Sequence, residues 1–220
     1  DGVCLLDTRT GSARWLADKD IVGSYVKDIT ADKKGNIYLA CFNKGLFSFT
    51  PDGQSRRTLC GGDLRLHNRY LNVLKADSRG LLWLGHYYGI DAYDPERDRV
   101  LDLKMDSTMR TAVTYAIAET SDGLMWFGTN HGLFSYDTAK RTWKRYTKAD
   151  GLPVETVCGI AEGGDGSLWV STFRGLCRLD RRTGRMATFY RGNGLEDDNY
   201  LRGACGVSPF GLVYFGNDAA

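Results

Sequence analysis

An internal repeat of about 44 residues constrains the fold of this chain more than any other feature of its sequence. In each of five copies a glycine stands three positions before an aromatic residue, and successive copies are 45, 43, 43 and 45 residues apart. These pairs are Gly35 and Tyr38, Gly80 and Trp83, Gly123 and Trp126, Gly166 and Trp169, and Gly211 and Tyr214. A second glycine recurs at Gly45, Gly89, Gly132 and Gly175. Chance does not account for registers that persist through four or five copies.

Each repeat predicts four short strands, because runs of β-forming residues alternate with turns rich in Gly, Asp and Asn. In the fourth copy the predicted strands are Val157 to Ala161, Leu168 to Ser171, Leu176 to Leu179 and Met186 to Tyr190. The dipeptides Asp122-Gly123 and Asp165-Gly166 favour a hairpin turn between the first two strands, since Asp-Gly readily supplies positive φ angles. The fourth strand of each repeat is more polar, as expected of an edge strand.

Four-stranded antiparallel units of this length are typical of β-propeller blades, whose radial arrangement protects strand edges. Apolar residues occur on both sides of strands such as Leu82–Leu84 and Leu168–Val170, which agrees with blades covered by neighbours on both faces. We therefore predict an all-β fold, a β-propeller built from four-stranded antiparallel blades with about five repeats. A solenoid of stacked repeats is the alternative.

The repeat boundaries predict a single, partial propeller domain over residues 1–220. Because the sequence starts and stops inside a repeat, we expect a segment of a larger propeller. The alternative is a closed ring of five blades, in which the two ends of the sequence together form one blade. The expected boundaries are 1–20 for the second half of a blade, then 21–67, 68–109, 110–152 and 153–196, and 197–220 for the first half of a blade.

Composition argues against several classes of protein. The 29 Lys and Arg residues against 27 Asp and Glu leave a net charge of +2, without the basic excess of a nucleic-acid-binding protein. No apolar stretch is long enough for a membrane-spanning helix. The six cysteines lack the CxxC spacing of a zinc ribbon, and most are expected to be small buried residues, with one or two disulfide bridges left open. They are Cys4, Cys41, Cys60, Cys158, Cys177 and Cys205.

The fourth copy also carries a more specific pattern. It reads GLPVETV at 151–157, followed by GSLWVSTFRGLCRLD at 166–180. These residues resemble the two-component regulator propeller repeat, and the segment 123–133 is the most similar to it. The first copy departs from that repeat with Tyr38 in place of tryptophan and Ala40 in place of glycine, but it keeps the aromatic character of the position.

The resemblance implies the periplasmic sensor region of a Bacteroides-type hybrid two-component system. Such regions are similar to paired seven-bladed propellers followed by an immunoglobulin-like domain, a membrane helix and a histidine kinase. This chain would then be an extracytoplasmic module that detects an oligosaccharide from polysaccharide breakdown and regulates its utilisation genes. Its partners would be the oligosaccharide and the rest of the parent chain, with a homodimer left open. No catalytic group, cofactor or metal ion is expected in this segment.

The loops that lead into each first strand differ between copies while the framework is repeated, so we expect the ligand there. Tyrosine and arginine beside amides and carboxylates suit a sugar, because flat rings stack on it and planar groups hydrogen-bond its hydroxyls. The ligand-binding candidates are Arg69, Tyr70, Asn72, Arg110, Tyr115, Glu155, Asn199, Tyr200 and Arg202. The central aromatic residues are expected in the blade core: Tyr38, Trp83, Trp126, Trp169 and Tyr214.

Two other functions stay open at this stage. A lyase-like propeller enzyme acting on a glycan or a small molecule would need a convergent acid and base, for which Glu155 and His67 are the candidates. A scaffold for protein partners would instead need an exposed apolar or charged patch and would not respond to sugars.

Overall fold

The computed structural model describes residues 3–16, 21, 23–56, 59 and 65–217. Their regular structure is almost entirely antiparallel strand, apart from the short helix α1 (Ser107–Arg110) and two single 3₁₀ turns at Lys148–Asp150 and Arg191–Asn193. The chain divides into two compact units, Asp1–Asp102 and Leu103–Ala220. No helix within the described ranges is long and apolar enough to cross a membrane.

The first unit contains one two-stranded sheet and two four-stranded sheets in its described part. The two-stranded sheet consists of β1 (Val3–Leu6) and β2 (Ala13–Leu16). The next sheet consists of β3 (Tyr25–Ala31), β4 (Ile37–Phe42), β5 (Gly45–Phe49) and β6 (Ser55–Arg56). The third consists of β7 (Leu71–Ala76), β8 (Leu82–His86), β9 (Gly89–Asp94) and β10 (Arg99–Leu101).

The second unit repeats this organisation with two four-stranded sheets and a final two-stranded sheet among its described residues. The strands of the first sheet are β11 (Thr114–Glu119), β12 (Met125–Thr129), β13 (Gly132–Asp137) and β14 (Thr142–Tyr146). The second has β15 (Val157–Glu162), β16 (Leu168–Thr172), β17 (Gly175–Leu179) and β18 (Met186–Phe189). The last has β19 (Tyr200–Val207) and β20 (Val213–Asn217). Each four-stranded sheet is a meander in chain order, which confirms the predicted all-β blades.

Glycine closes the turn between the first and second strands of every repeat. The recurring glycines have φ angles between +76° and +89°, a region that residues with a Cβ rarely adopt. In the third repeat the Gly123 N–H donates to the Thr120 carbonyl at 2.8 Å, while the Thr120 N–H donates to the Leu124 carbonyl at 3.0 Å. The positive φ lets the chain reverse within these few residues, so the sequence motif and the turn geometry agree.

Every first strand of the four-stranded sheets also contains a β-bulge near its beginning, which the sequence pattern did not predict. In β11, Thr114 pairs with Thr129 and Ala116 pairs with Gly128, so Tyr115 is left out of the ladder. The equivalent residues are Lys27 in β3, Asn72 in β7 and Cys158 in β15. A bulge increases the local twist and redirects the side chain of the extra residue.

The central aromatic residues form the blade core in the first three repeats, as predicted. Tyr38, Trp83 and Trp126 are buried. Their polar atoms are satisfied by the turn that precedes the second strand, because the Trp83 Nε1–H donates to Asp77 at 3.0 Å and the Trp126 Nε1–H donates to Thr120 at 3.0 Å. This matters because a buried indole N–H without an acceptor would be costly.

The same prediction is wrong for the last repeat. Tyr214 is 57% exposed, and Trp169 in the preceding repeat is only half-buried. Alternation along β20 places Phe215 on the side of Tyr200 and Tyr214 on the opposite side. Among the described residues the sheet of β19 and β20 has only two strands. No described residue covers the face of this sheet that carries Tyr214.

Neighbouring blades of the second unit are joined by a charged cluster, which we call the interblade clamp and define as Ser121, Asp122, Glu162 and Arg181. The Ser121 N–H and hydroxyl each donate to Glu162 at 2.7 Å. Arg181 forms an ion pair with Glu162 and a second one with Asp122 at 2.7 Å, and its Nε–H donates to the Gly166 carbonyl at 2.8 Å. The clamp therefore links two repeats whose clamp residues are about 40 to 60 positions apart in the chain.

No disulfide joins two cysteines among the described residues. Cys41, Cys158 and Cys177 are buried, as expected of small core residues, whereas Cys4 is exposed. Burial raises the pKa of both Cys158 and Cys177 to about 12, which keeps these thiols protonated and unreactive at neutral pH. Cys60 lies outside the described residues.

Candidate functional site

The two ends of each blade differ in which loops they carry. Because paired strands are antiparallel, the start of a first strand lies beside the end of the second strand, as Leu71 does beside His86. The upper end of a blade, as defined here, therefore carries the loop into the first strand and the turn between the second and third strands. The lower end carries the turn between the first and second strands. The predicted ligand-binding residues belong to the upper ends.

In the first unit, three aromatic rings from three strand ends meet at the upper end. The ring of Tyr70 lies 5.2 Å from that of Phe42 and 6.4 Å from that of Tyr87, and the rings of Phe42 and Tyr87 are 5.8 Å apart, centre to centre. Tyr87 is 40% exposed, and Tyr70 is half-buried. Tilted and edge-on rings at these distances stabilise one another. They form a firm, partly exposed apolar surface.

Cations lie against this aromatic surface. Arg69 lies over the ring of Tyr70, with Cζ 5.7 Å from the ring centre. The Nζ of Lys27, at the bulge of β3, lies 5.6 Å from the ring centre of Phe42 and 4.5 Å from that of Tyr25. Both cations are exposed, and neither has a carboxylate partner among the described residues. Asn72, at the equivalent bulge of β7, is half-buried. The predicted residues Arg69, Tyr70 and Asn72 thus lie at one upper end, with Lys27 and Phe42 added by the structure.

A buried carboxylate supports the loop that carries these residues. Asp91 on β9 is buried and accepts hydrogen bonds from the backbone N–H of His67 at 3.0 Å and from its Nδ1–H. Nε2 of the fully buried His86 lies 3.4 Å from the same carboxylate. Burial alone would raise the pKa of Asp91, but the two histidines outweigh it, and the pKa is lowered. Asp91 is therefore a charged anchor that positions His67.

In the second unit the upper end contains a stacked arginine. The guanidinium carbon of Arg202, on β19, lies 4.2 Å from the ring centre of Tyr115 and 5.1 Å from that of Phe173. Tyr115 occupies the bulge of β11, and Phe173 occupies the turn between β16 and β17. The structure thus brings the predicted residues Tyr115 and Arg202 together and adds Phe173. Phe173 was missed because the ligand was expected in the loops into the first strands, whereas Phe173 lies in the turn between the second and third strands, two positions before Gly175 as Tyr87 is before Gly89.

Other predicted residues of the second unit are engaged elsewhere. Glu155 faces Arg145, with 3.9 Å between the nearest charged atoms, rather than Arg202. The Nε–H of Arg110, at the end of α1, donates to the Met105 carbonyl at 3.2 Å. Asn199 is exposed, and its backbone N–H donates to Asp197 at 3.4 Å. None of these contacts prevents their side chains from reaching a ligand, but they do not bring Glu155 to the stacked arginine.

Tyr200 is not available to a ligand, which corrects its place among the candidates. It is buried and packs edge-on against Phe215, with 6.3 Å between ring centres. Burial raises the pKa of its hydroxyl, and the negative charges of Asp198 and Asp197 add to this effect. Its position at the first pair of the β19–β20 ladder, opposite Asn217, directs the ring into the sheet packing. Tyr200 therefore holds the strand that presents Arg202.

The lower ends are built differently, although they contain cavities. A cavity of about 530 Å³ in the second unit is lined by charged residues that include Asp122, Asp165, Arg178 and Arg181. One of about 310 Å³ in the first unit is lined in part by Lys34, Arg79 and Glu96. Most cations here are neutralised: Arg178 pairs with Asp165, Arg79 with Asp77, and Lys34 with Glu96. These charges hold turns and blades together, whereas the upper-end cations Lys27, Arg69 and Arg202 face aromatic rings. No group of acidic, histidine and cysteine side chains among the described residues is arranged to hold a metal ion.

One segment of the chain matches a family model. Residues 109–131 match the two component regulator propeller, which confirms the resemblance seen in the sequence for that repeat. This segment includes β11, its bulge residue Tyr115 and β12. Comparison with curated protein sequences gave no significant match.

Solved structures show the same fold. The extracellular domain of a hybrid two component system from B. thetaiotaomicron is similar with a TM-score of 0.80 and 19% identity, over 97% of this chain and 32% of that one. A second such domain from the same organism has a TM-score of 0.73 and 21% identity, over 88% and 28%. Virginiamycin B lyase from Staphylococcus aureus has a TM-score of 0.69 and 16% identity, over 91% and 64%. The chain spans about a third of the extracellular domains it matches, and these similarities establish β-propeller blades as its fold.

Proposed function

We propose that this chain is an extracytoplasmic, ligand-sensing propeller module of a hybrid two-component signalling protein. Its ligand is an oligosaccharide released by polysaccharide breakdown, and binding regulates the genes for its utilisation. The module works in the periplasm as part of an inner-membrane protein whose other regions supply further blades, an immunoglobulin-like domain, a membrane helix and the kinase. This segment carries no catalytic chemistry of its own.

The observation that carries the proposal is the arrangement at the upper ends. In the first unit aromatic rings from different strand ends meet there beside exposed cations, and in the second unit two rings from different strand ends lie against the exposed Arg202. Rings bind the apolar faces of a sugar, and guanidinium groups donate planar hydrogen bonds to its oxygens. The match of residues 109–131 to the regulator propeller and the likeness to extracellular domains of two-component systems support the sensor assignment.

A binding screen with matched variants tests the sensor. Oligosaccharides from plant, fungal, bacterial and host polysaccharides are added to the full 220-residue chain, and melting curves are followed by calorimetry. A ligand at one hundred times its Kd stabilises the folded state by about 2.7 kcal/mol. We expect Tyr70→Ala or Tyr115→Ala to weaken binding about tenfold, because each removes a ring surface.

The control for these variants is Phe210→Ala, which removes an aromatic ring at a lower end that is 91% exposed. The proposal is supported if an upper-end variant weakens sugar binding and Phe210→Ala does not. No binding across the panel, or a loss confined to Phe210→Ala, contradicts it.

One observation favours a second function, a lyase-like enzyme. His67 donates through Nδ1 to the buried carboxylate of Asp91, which is the arrangement that orients an imidazole to accept a proton. The likeness to virginiamycin B lyase supports this alternative at the level of fold. Incubation of the chain with each bound sugar and mass analysis of the products separates the two functions. If the native chain converts the sugar and His67→Gln does not, the enzyme function is established. If the sugar is recovered unchanged, the sensor function is supported.

A further inference from the structure

We propose that Arg202 binds an oxyanion group of the ligand, so that the oligosaccharide detected by this module is an acidic one. This inference rests on the proposed sensing function and deepens it by naming the ligand class. It follows from the rings that contact Arg202, from the charges around it, and from the N–H groups of its guanidinium group that a ligand can reach.

The two rings restrict the directions in which Arg202 can interact. Tyr115 and Phe173 lie at cation–π distances from its guanidinium carbon, at 4.2 and 5.1 Å. A ligand cannot approach where a ring covers the guanidinium group, so the N–H groups that point away from the two rings, in the guanidinium plane, are the part that can meet a ligand. Two parallel N–H groups in that plane match the two oxygens of a carboxylate, and they also bind a sulfate or phosphate ester.

The stacked rings also reduce the cost of binding. A long side chain loses rotamer freedom when it is immobilised on a ligand, and this loss opposes binding. Arg202 already lies against rings at two other strand ends, Tyr115 at the bulge of β11 and Phe173 in the turn after β16. Because its position is defined before the ligand arrives, more of the hydrogen-bond energy is left for affinity.

The charge of Arg202 is not neutralised within the described part of the chain. It makes no ion pair there, although it is exposed. Arg181 and Arg178 of the same unit are paired with carboxylates at the lower end. Glu155, the acidic residue among the ligand-binding candidates, faces Arg145 instead. Arg202 also acts on the thiol of Cys158 at the bulge of β15, where its positive charge opposes the effect of burial. An exposed guanidinium group without an ion pair, lying against aromatic rings, attracts an anion, although Asp197 and Asp198 lie in the loop that leads into β19.

The experiment compares three ligands of matched length: a galacturonic acid oligomer, the corresponding neutral galactose oligomer, and a sulfated galactose oligomer. Calorimetry on the full chain measures each Kd at low and at high salt. We expect the native chain to bind an acidic oligomer about 10- to 100-fold more tightly than the neutral one, with the preference reduced by salt. Preference for the uronate identifies a carboxylate as the bound group, and preference for the sulfated oligomer identifies a sulfate ester.

Two variants of Arg202 and one control complete the design. Arg202→Gln should remove the preference for the acidic oligomer together with its salt dependence, while Arg202→Lys keeps the charge but should recover only part of the affinity, because it lacks the planar fork. The control is Arg185→Gln, an exposed arginine before β18 at the lower end, and it should behave as the native chain does. Melting curves without ligand establish that each variant is folded.

The outcomes distinguish this inference from the sensor proposal. If the neutral oligomer binds tightly and Arg202→Gln binds it equally well, the anion site is overturned and the sensor proposal is retained. Equal losses for acidic and neutral oligomers in Arg202→Gln also overturn it, because they indicate a loss of packing rather than of charge recognition. Binding of neither class by the native chain, in this set and in the wider panel, overturns both.

Discussion

Removal of Arg181 should uncouple two neighbouring blades of the second unit. Its side chain is 14% exposed and bridges Asp122 of one repeat to Glu162 of the next. Its Nε–H also satisfies the carbonyl of Gly166. The variant Arg181→Ala therefore deletes two ion pairs and one hydrogen bond, and it leaves Glu162 with only the two donors of Ser121.

The expected cost follows from the exposure of the partners. Asp122 is 48% exposed, so water replaces most of what that ion pair contributes. Glu162 is 20% exposed, and a hydrogen bond to a charged group in such a place contributes about 1.5–3 kcal/mol. We therefore expect a loss of about 2 kcal/mol in the free energy of unfolding, which for a chain of this length lowers Tm by about 4–8 °C.

The assay is chemical and thermal unfolding of native, Arg181→Ala and Arg182→Ala chains. Arg182 is the matched control, because it lies in the same turn but is exposed and takes no part in the interblade clamp. A double-mutant cycle with Glu162→Gln should give a coupling energy of about 1 kcal/mol or more. If Arg181→Ala and Arg182→Ala melt together, or if the cycle shows no coupling, the clamp does not stabilise the blade contact.

Three further predictions concern turns, acid stability and thiols. Gly132→Ala should lower the free energy of unfolding by more than about 2 kcal/mol, since its new Cβ would lie 2.4 Å from the Tyr146 carbonyl oxygen. Gly123 also has a positive φ, but open space surrounds its Cβ position, so Gly123→Ala should cost only about 1–2 kcal/mol. Unfolding in urea measures both free energies. Hydrogen bonds from Ser167 and the ion pair with Arg178 lower the pKa of Asp165 from 3.8 to about 2, so its stabilising contribution is complete above pH 4 and is lost as pH falls towards 2. Asp165→Asn should flatten that part of the Tm–pH curve, and an unchanged slope would contradict this assignment. In the native chain at pH 8 the exposed Cys4 should react with a thiol reagent rapidly and the buried Cys158 only on unfolding; equal rates would show that the first-strand bulge is open to solvent.

The fold could be predicted because its determinants are local and recur. A glycine at the first turn and an aromatic residue three positions later mark each repeat at the same register, and in four repeats a second glycine begins the third strand. The turn glycines adopt positive φ, and Tyr38, Trp83 and Trp126 are buried, as that register predicts. Strand pairing within a meander follows from short turns, so neighbours in sequence become neighbours in the sheet.

The candidate site could be predicted only by region. The sequence indicated the loops into the first strands; Arg69 and Tyr70 lie in such a loop, whereas Tyr115 and Arg202 lie near the beginning of the strands β11 and β19 themselves. It could not indicate that Tyr115 stands at a bulge, because a bulge is a property of the pairing between two strands. For the same reason Tyr200, which looks like its neighbours in sequence, was not recognised as buried.

Contacts between residues far apart in the chain were decided by tertiary structure alone. Arg202 stacks on a ring 87 positions earlier, His67 hydrogen-bonds a carboxylate 24 positions later, and Arg181 reaches a turn of the preceding repeat. The contacts of Arg202 and Arg181 depend on how blades pack against one another, and the contact of His67 depends on how the loop into β7 lies against β9 of the same sheet. The repeated sequence determines the blade because every copy has the same turn and core residues. The site forms where the copies have different residues in their loops and where packing places those residues side by side.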